Sequence, residues 1–114
     1  MADDQPPMAN DQPPVDAAAV IPFYDDARRR RRQVELGTQR IMIWDAETLV
    51  VFKLMFFRRK DIADVEQIMR VQGTALDRDW IRQHLENIYG RRDPRVSQWD
   101  ELVQEIANDE SPER

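Results

Sequence analysis

At 114 residues the chain has room for one small domain, and 41% hydrophobic with 34% charged residues gives it a real but modest core. The absence of cysteine excludes disulfides and thiolate metal sites, and a single histidine argues against a histidine-built metal centre. The net charge of −5 is uneven: residues 1–20 hold four acids and no base, residues 100–114 hold six acids and one arginine, and 21–99 is left at +4, too small a surplus to imply general nucleic-acid binding.

The chain opens on a duplicated heptapeptide, MADDQPP then MANDQPP. Proline, acids and amides without apolar periodicity cannot bury enough surface to fold, so 1–20 is expected to be a disordered tail. FYDDARRRRR (23–32) allows a helical turn capped by Asp25 or Asp26. Five consecutive arginines, Arg28 to Arg32, point all round a helix and have no interleaved aromatic, which favours a solvated segment over a nucleic-acid stripe. Next, QVELGTQRIMI alternates with a period of two around a Gly37-Thr38 turn and predicts a short hairpin over 33–44.

Four helices are expected over 46–107. The first runs from Ala46 to Phe57 behind Asp45 and is apolar almost all round, as a buried helix is. The second, Lys60 to Val71, would bury Ile62, Val65, Ile68 and Met69 and stop at Gly73. The third starts behind Asp77, carries Ile81, Leu85 and Ile88, and stops at Gly90. The fourth takes Asp93 as cap and Pro94 as first helical residue, with Val96, Trp99, Leu102 or Val103, and Ile106 inward. Residues 108–114 read as a frayed tail. The fold class expected is mainly α (α+β): a short hairpin followed by a four-helix bundle. No apolar run reaches the ~18 residues of a membrane span and no signal pattern opens the chain, so the expectation is a cytoplasmic protein with no membrane partner.

Lys53 interrupts the most hydrophobic stretch, between LVVF and LMFF. An ammonium there must snorkel, pair, or line a cavity. Asp61 and Asp64, three residues apart near the start of the second helix, are the carboxylates in reach, with Asp64 the favoured partner because that helix must fold back across Lys53. Arg58 is placed to pair with Asp61 at i+3. Trp80 and His84 share a face of the third helix and read as a helix–helix edge, His84 having no partner that would make it a base.

The order of strand, strand, then AETLVVFKLMFFRRKDIADVEQIM resembles the C-terminal half of nucleotidyltransferase-like proteins of the AbiEii type. Glu47 and Leu49, the Lys53-Leu54 pair, then Arg58, Lys60, Asp61 and Asp64 carry the resemblance, which extends over about residues 21–103. It implies Lys53, Arg58 and Lys60 as phosphate- or nucleotide-binding candidates and Asp61 and Asp64 as an acidic motif that is structural or inherited. The family's catalytic half, a Gly-Ser turn followed by an Asp-x-Asp pair holding Mg²⁺ and a nucleoside triphosphate, has no counterpart upstream of the strands: no Gly-Ser dipeptide occurs and no glycine precedes Gly37. No catalytic residue, metal ligand or cofactor is therefore assigned here; Mg²⁺ and a nucleoside triphosphate are expected only for a complete relative, which would transfer a nucleotide to a hydroxyl. The leading expectation is a nucleotidyltransferase-like protein inactive alone. The alternatives are a small helical interaction module, self-associating or binding a partner through an exposed apolar face, and a DNA-binding regulator.

Overall fold

The computed structural model describes residues 17–109. The element order is α1 (Ala17–Arg29), β1 (Arg32–Leu36), β2 (Gln39–Ile43), α2 (Ala46–Phe56), α3 (Arg59–Gln72), a 3₁₀ turn (Gly73–Ala75), α4 (Arg78–Tyr89) and α5 (Pro94–Asp109). The expected fold class holds: a mainly helical protein with an antiparallel hairpin followed by four helices.

The helix starts follow local chemistry. Asp45 accepts the Thr48 N–H at 3.0 Å, Asp77 accepts that of Trp80 at 3.1 Å, and Asp93 accepts that of Arg95 at 2.8 Å ahead of Pro94–Asp109. Gly73 and Gly90 end α3 and α4 with positive φ, 56° and 93°. In the ring α2–α3–α5–α4 each helix touches the next, and α1 lies on α4. The core joins Phe23 and Ala27 of α1 to Val50, Val51 and Leu54 of α2, Val65 and Met69 of α3, Ile81, Leu85 and Ile88 of α4, and Val96, Trp99, Leu102 and Ile106 of α5. Ile62 and Ile68, expected inside, are only half-buried, as is Val103.

The region before the hairpin departs from expectation. Residues 17–20, assigned above to a disordered tail, are helical; Ala19 and Val20 pack against the core, and Phe23 and Ala27 are fully buried. Burial of that apolar face overrides the missing amide of Pro22 within the helix. Asp25 and Asp26 do not cap; they lie inside α1 and pair with Arg28 and Arg29 one turn on. Residues 1–16 of the expected tail, and 110–114 of the frayed one, lie outside the described residues, while Asn108 and Asp109 are still helical.

The hairpin adds nothing to the buried core. It pairs Arg32 with Ile43 through to Leu36 with Gln39, closed by Gly37 and Thr38. Gly37 has φ 62°, as a primed two-residue turn with glycine first requires. Val34 alone among its strand residues is half-buried; Leu36, Ile41, Met42 and Ile43 are exposed. Of these apolar residues, Val34 and Ile43 line a groove beside the helices.

Candidate functional site

The hairpin stands off α2 and α3 and leaves an open groove of about 660 Å³ between them. One wall is Val34, Ile43 and Trp44; the other is Leu49 of α2 with Ile68 and Val71 of α3. Leu49 is 37% exposed and Val71 70%, so the second wall is uncovered apolar surface. Helix α2, apolar almost all round, is left uncovered on this side and at Phe56, which is also exposed.

Lys53 lines this groove together with Asp64. Its Nζ donates to Asp64 Oδ2 at 2.8 Å and lies 3.8 Å from Asp61 Oδ1. The expected pairing is present, with Asp64 the closer partner, but the pair is not desolvated: the side chains are 32% and 47% exposed. Lys53 thus snorkels from the apolar helix into the groove and meets its counter-ion there.

Asp61, in contrast, is fully buried. Arg58 grips it from Nε at 2.6 Å and Nη2 at 3.2 Å, and the Arg58 backbone N–H adds a third bond at 3.1 Å. The Arg58 hydrogen bonds, then the nearby Lys53 charge, outweigh desolvation and hold its carboxyl below the usual carboxylate range. The same contact raises Arg58, whose guanidinium also sits 5.0 Å from the Phe56 ring. Lys60 is exposed, forms no ion pair among the described residues and does not line the groove. Of the phosphate-binding candidates, then, Lys53 and Arg58 are engaged by carboxylates and Lys60 sits apart from them.

The two-residue corner between α2 and α3 positions this cluster. Phe57 ends α2 in the left-handed region, φ 59°, where a bulky side chain is strained. Arg95 of α5, 3% exposed, supports that corner: Nε donates to Leu54 O at 2.9 Å and Nη2 to Met55 O at 3.2 Å, taking carbonyls that the end of α2 leaves free. It packs 5.0 Å from the Phe57 ring and 4.3 Å from that of Tyr89, and Nη1 lies 3.3 Å from buried Asp93. Nothing local in the sequence marks Arg95 for this role beyond its place just inside a Pro-started helix.

A second buried polar node fixes the other end of α2. Glu47 accepts the Asp77 backbone N–H at 2.8 Å and pairs with Arg30 at 3.1 Å. Arg30 also donates to Asp45 at 2.7 Å and lies 4.3 Å over the Trp80 ring. Burial pushes the Asp45 carboxyl up, but hydrogen bonds from Thr48 and Arg30 more than offset it and hold the group low. The arginine run is accordingly not all solvated: Arg28 and Arg29 pair within α1, Arg31 lies 5.9 Å from the Trp44 ring, and Arg30 is a tether. Trp80 and His84 do meet at a helix edge, their rings 4.5 Å apart and both beside Phe23. His84, expected to lack a partner, has Asp26 at 3.3 Å, a contact made across 58 positions of sequence.

Among the described residues no group of three or more histidine, cysteine or acidic side chains could hold a metal ion, and no helix is long and apolar enough to cross a membrane. No family model, curated protein or solved structure matches the chain.

Proposed function

We propose that the chain is a cytoplasmic protein-interaction module whose groove receives an apolar segment of a partner protein. The supporting observation is the pair of facing apolar walls, Val34, Ile43 and Trp44 against Leu49, Ile68 and Val71, around about 660 Å³. Its charged lining is largely matched within the protein, Lys53 by Asp64 and Asp45 by Arg30. A site of that make-up favours apolar side chains over a free anion. The test uses an amphipathic Leu/Lys model peptide and an anilinonaphthalene sulfonate dye. Both should bind, and Leu49→Lys or Val71→Lys, exposed positions expected to cost at most ~0.5 kcal/mol in stability, should weaken both. Equal binding by these variants would refute the groove as receptor.

The nucleotidyltransferase-like reading is a separate proposal, supported by the corner that gathers Lys53, Arg58, Asp61 and Asp64. On that reading this chain alone transfers no nucleotide, because its sequence offers no Gly-Ser turn upstream of the strands on which the metal-holding carboxylates would stand. Incubation with labelled nucleoside triphosphates, Mg²⁺ and hydroxyl acceptors checks it; metal-dependent turnover that survives repurification would overturn it.

A further inference from the structure

The hairpin presents a second surface, distinct from the groove. Among the described residues its sheet has two strands only, so the outer edge of β2 pairs with nothing. A lone two-stranded sheet is marginal in water, and an unpaired apolar edge invites another strand. β2 (Gln39–Ile43) has no proline, lysine or bulge to protect it, Arg40 is its one charge, and all five residues are exposed.

The register says which backbone groups are open. A two-residue turn is closed by a hydrogen-bonded pair, here Leu36 with Gln39, and such pairs alternate along an antiparallel ladder. Gln39, Ile41 and Ile43 therefore spend their N–H and C=O groups on β1, and Arg40 and Met42 point theirs outward. We infer that this edge binds a second copy of itself, antiparallel, with the two-fold axis through Ile41. In that register Arg40 of each copy exchanges hydrogen bonds with Met42 of the other, and the two Ile41 residues form a close, non-hydrogen-bonded pair. A four-stranded sheet results, isologous and closed.

The apolar side chains agree with this arrangement, and the two Arg40 residues it brings to diagonal positions each keep a counter-ion. Val34 and Ile41 are cross-strand partners, so the new sheet carries an unbroken apolar row of Val34, Ile41, Ile41 and Val34. On the opposite face Arg40, the one charged residue of β2, has its own counter-ion in Glu35 at 3.6 Å and would lie beside the second copy's Met42. The β1 edge is the poorer candidate, because Arg32, Gln33 and Val34 of β1 line the groove, to which β2 contributes Ile43 alone.

The experiment uses the full chain, which has no cysteine of its own. Sedimentation should show a species of twice 13.5 kDa at high micromolar concentration. Met42→Pro removes an outward N–H while leaving the β1–β2 ladder intact, and should weaken self-association at least about tenfold. Single cysteines then report the register. Ile41→Cys brings two Cα atoms to ~4.5 Å, inside disulfide reach, and should cross-link fast; Arg40→Cys and Met42→Cys, offset along the strand, should not. A monomer at every concentration overturns the inference, as does equal cross-linking at the three positions. So does a dimer that survives Met42→Pro but is lost in Leu49→Lys, which would place the second copy in the groove. Peptide binding by Leu49→Lys and Val71→Lys is read separately, so the groove and the edge can fail independently.

Discussion

Replacing Lys53 by Met separates an ion pair that holds the fold together from one that only occupies the groove. Lys53 reaches Asp64 at 2.8 Å, but the partners are 32% and 47% exposed, so water screens the attraction and already solvates both ions in part. A pair of that kind is worth ~0.5–1 kcal/mol, not the ~3–5 kcal/mol lost when a buried charge is stranded. Asp61 is the buried carboxylate nearby, and it is not stranded, because the Arg58 fork and backbone N–H remain. Lys53→Met should therefore cost less than ~1 kcal/mol, and its coupling to Asp64→Asn in a double-mutant cycle should be ~0.5–1 kcal/mol. Asp61→Asn should be the more damaging change, since it weakens the acceptor of three bonds at the α2–α3 corner. Urea unfolding of the single and double variants measures each. A loss above ~3 kcal/mol for Lys53→Met would show that the ammonium is what neutralises Asp61, and the assignment of that task to Arg58 would be wrong.

Arg95→Met should destabilise by ~3–5 kcal/mol in urea or heat, because it leaves buried Asp93 without its cation and uncaps two carbonyls of α2; adding Asp93→Asn should recover part of the loss. Trp99→Ala, at 1% exposure between helices, should cost ~3–5 kcal/mol by the same assay. Asp45, Asp61 and Asp100 all have folded pKa values below the ordinary 3.8. The unfolded chain thus binds protons first as pH falls, so their contribution is complete well above pH 3.8 and is lost progressively below it, through the folded pKa values. Urea midpoints should be flat with respect to these groups near neutrality and drop in acid, and the drop should be smaller in Asp61→Asn.

The parts of this architecture that depend on local chemistry were legible in the sequence. Asp45, Asp77 and Asp93 announce three helix starts, Gly73 and Gly90 announce two ends, and the period-two run around Gly37 announces the hairpin. Even the Lys53–Asp64 pair could be reasoned out, since two helices joined by a short corner must fold back on each other. Contacts made at long range were not legible. Arg95 reaches Leu54 across 41 positions, and no glycine marks the left-handed turn at Phe57 that it supports. The start of helix α1 is hidden in the sequence because its proline and poor periodicity are local signals, whereas its stability comes from Phe23 and Ala27 docking on the core. The groove escaped for a related reason: alternation shows that one face of the hairpin is apolar, but not that this face stands away from the core.

The stand-off itself points back to Lys53. The pair with Asp64 adds too little stability to explain a charge in the most apolar helix, and an apolar residue there would serve the core as well. What the ammonium does change is the wall of the groove. Lys53 and Asp64 lie one turn nearer the α2–α3 corner than Leu49 and Ile68, so two hydrated ions border the apolar part of that wall. With Met in place of Lys53 the α2 side of that wall becomes an apolar strip, Asp64 alone staying charged, and closing the hairpin onto it would bury surface at ~25 cal/mol per Å². If the hydrated pair is a prop that keeps the two apolar walls apart, removing its cation lets them close. Lys53→Met, nearly neutral in stability, should accordingly lose dye and peptide binding while keeping its helical circular dichroism. If it binds the dye as well as or better than the unaltered chain, the groove stays open without the ions, and the prop is not what Lys53 provides.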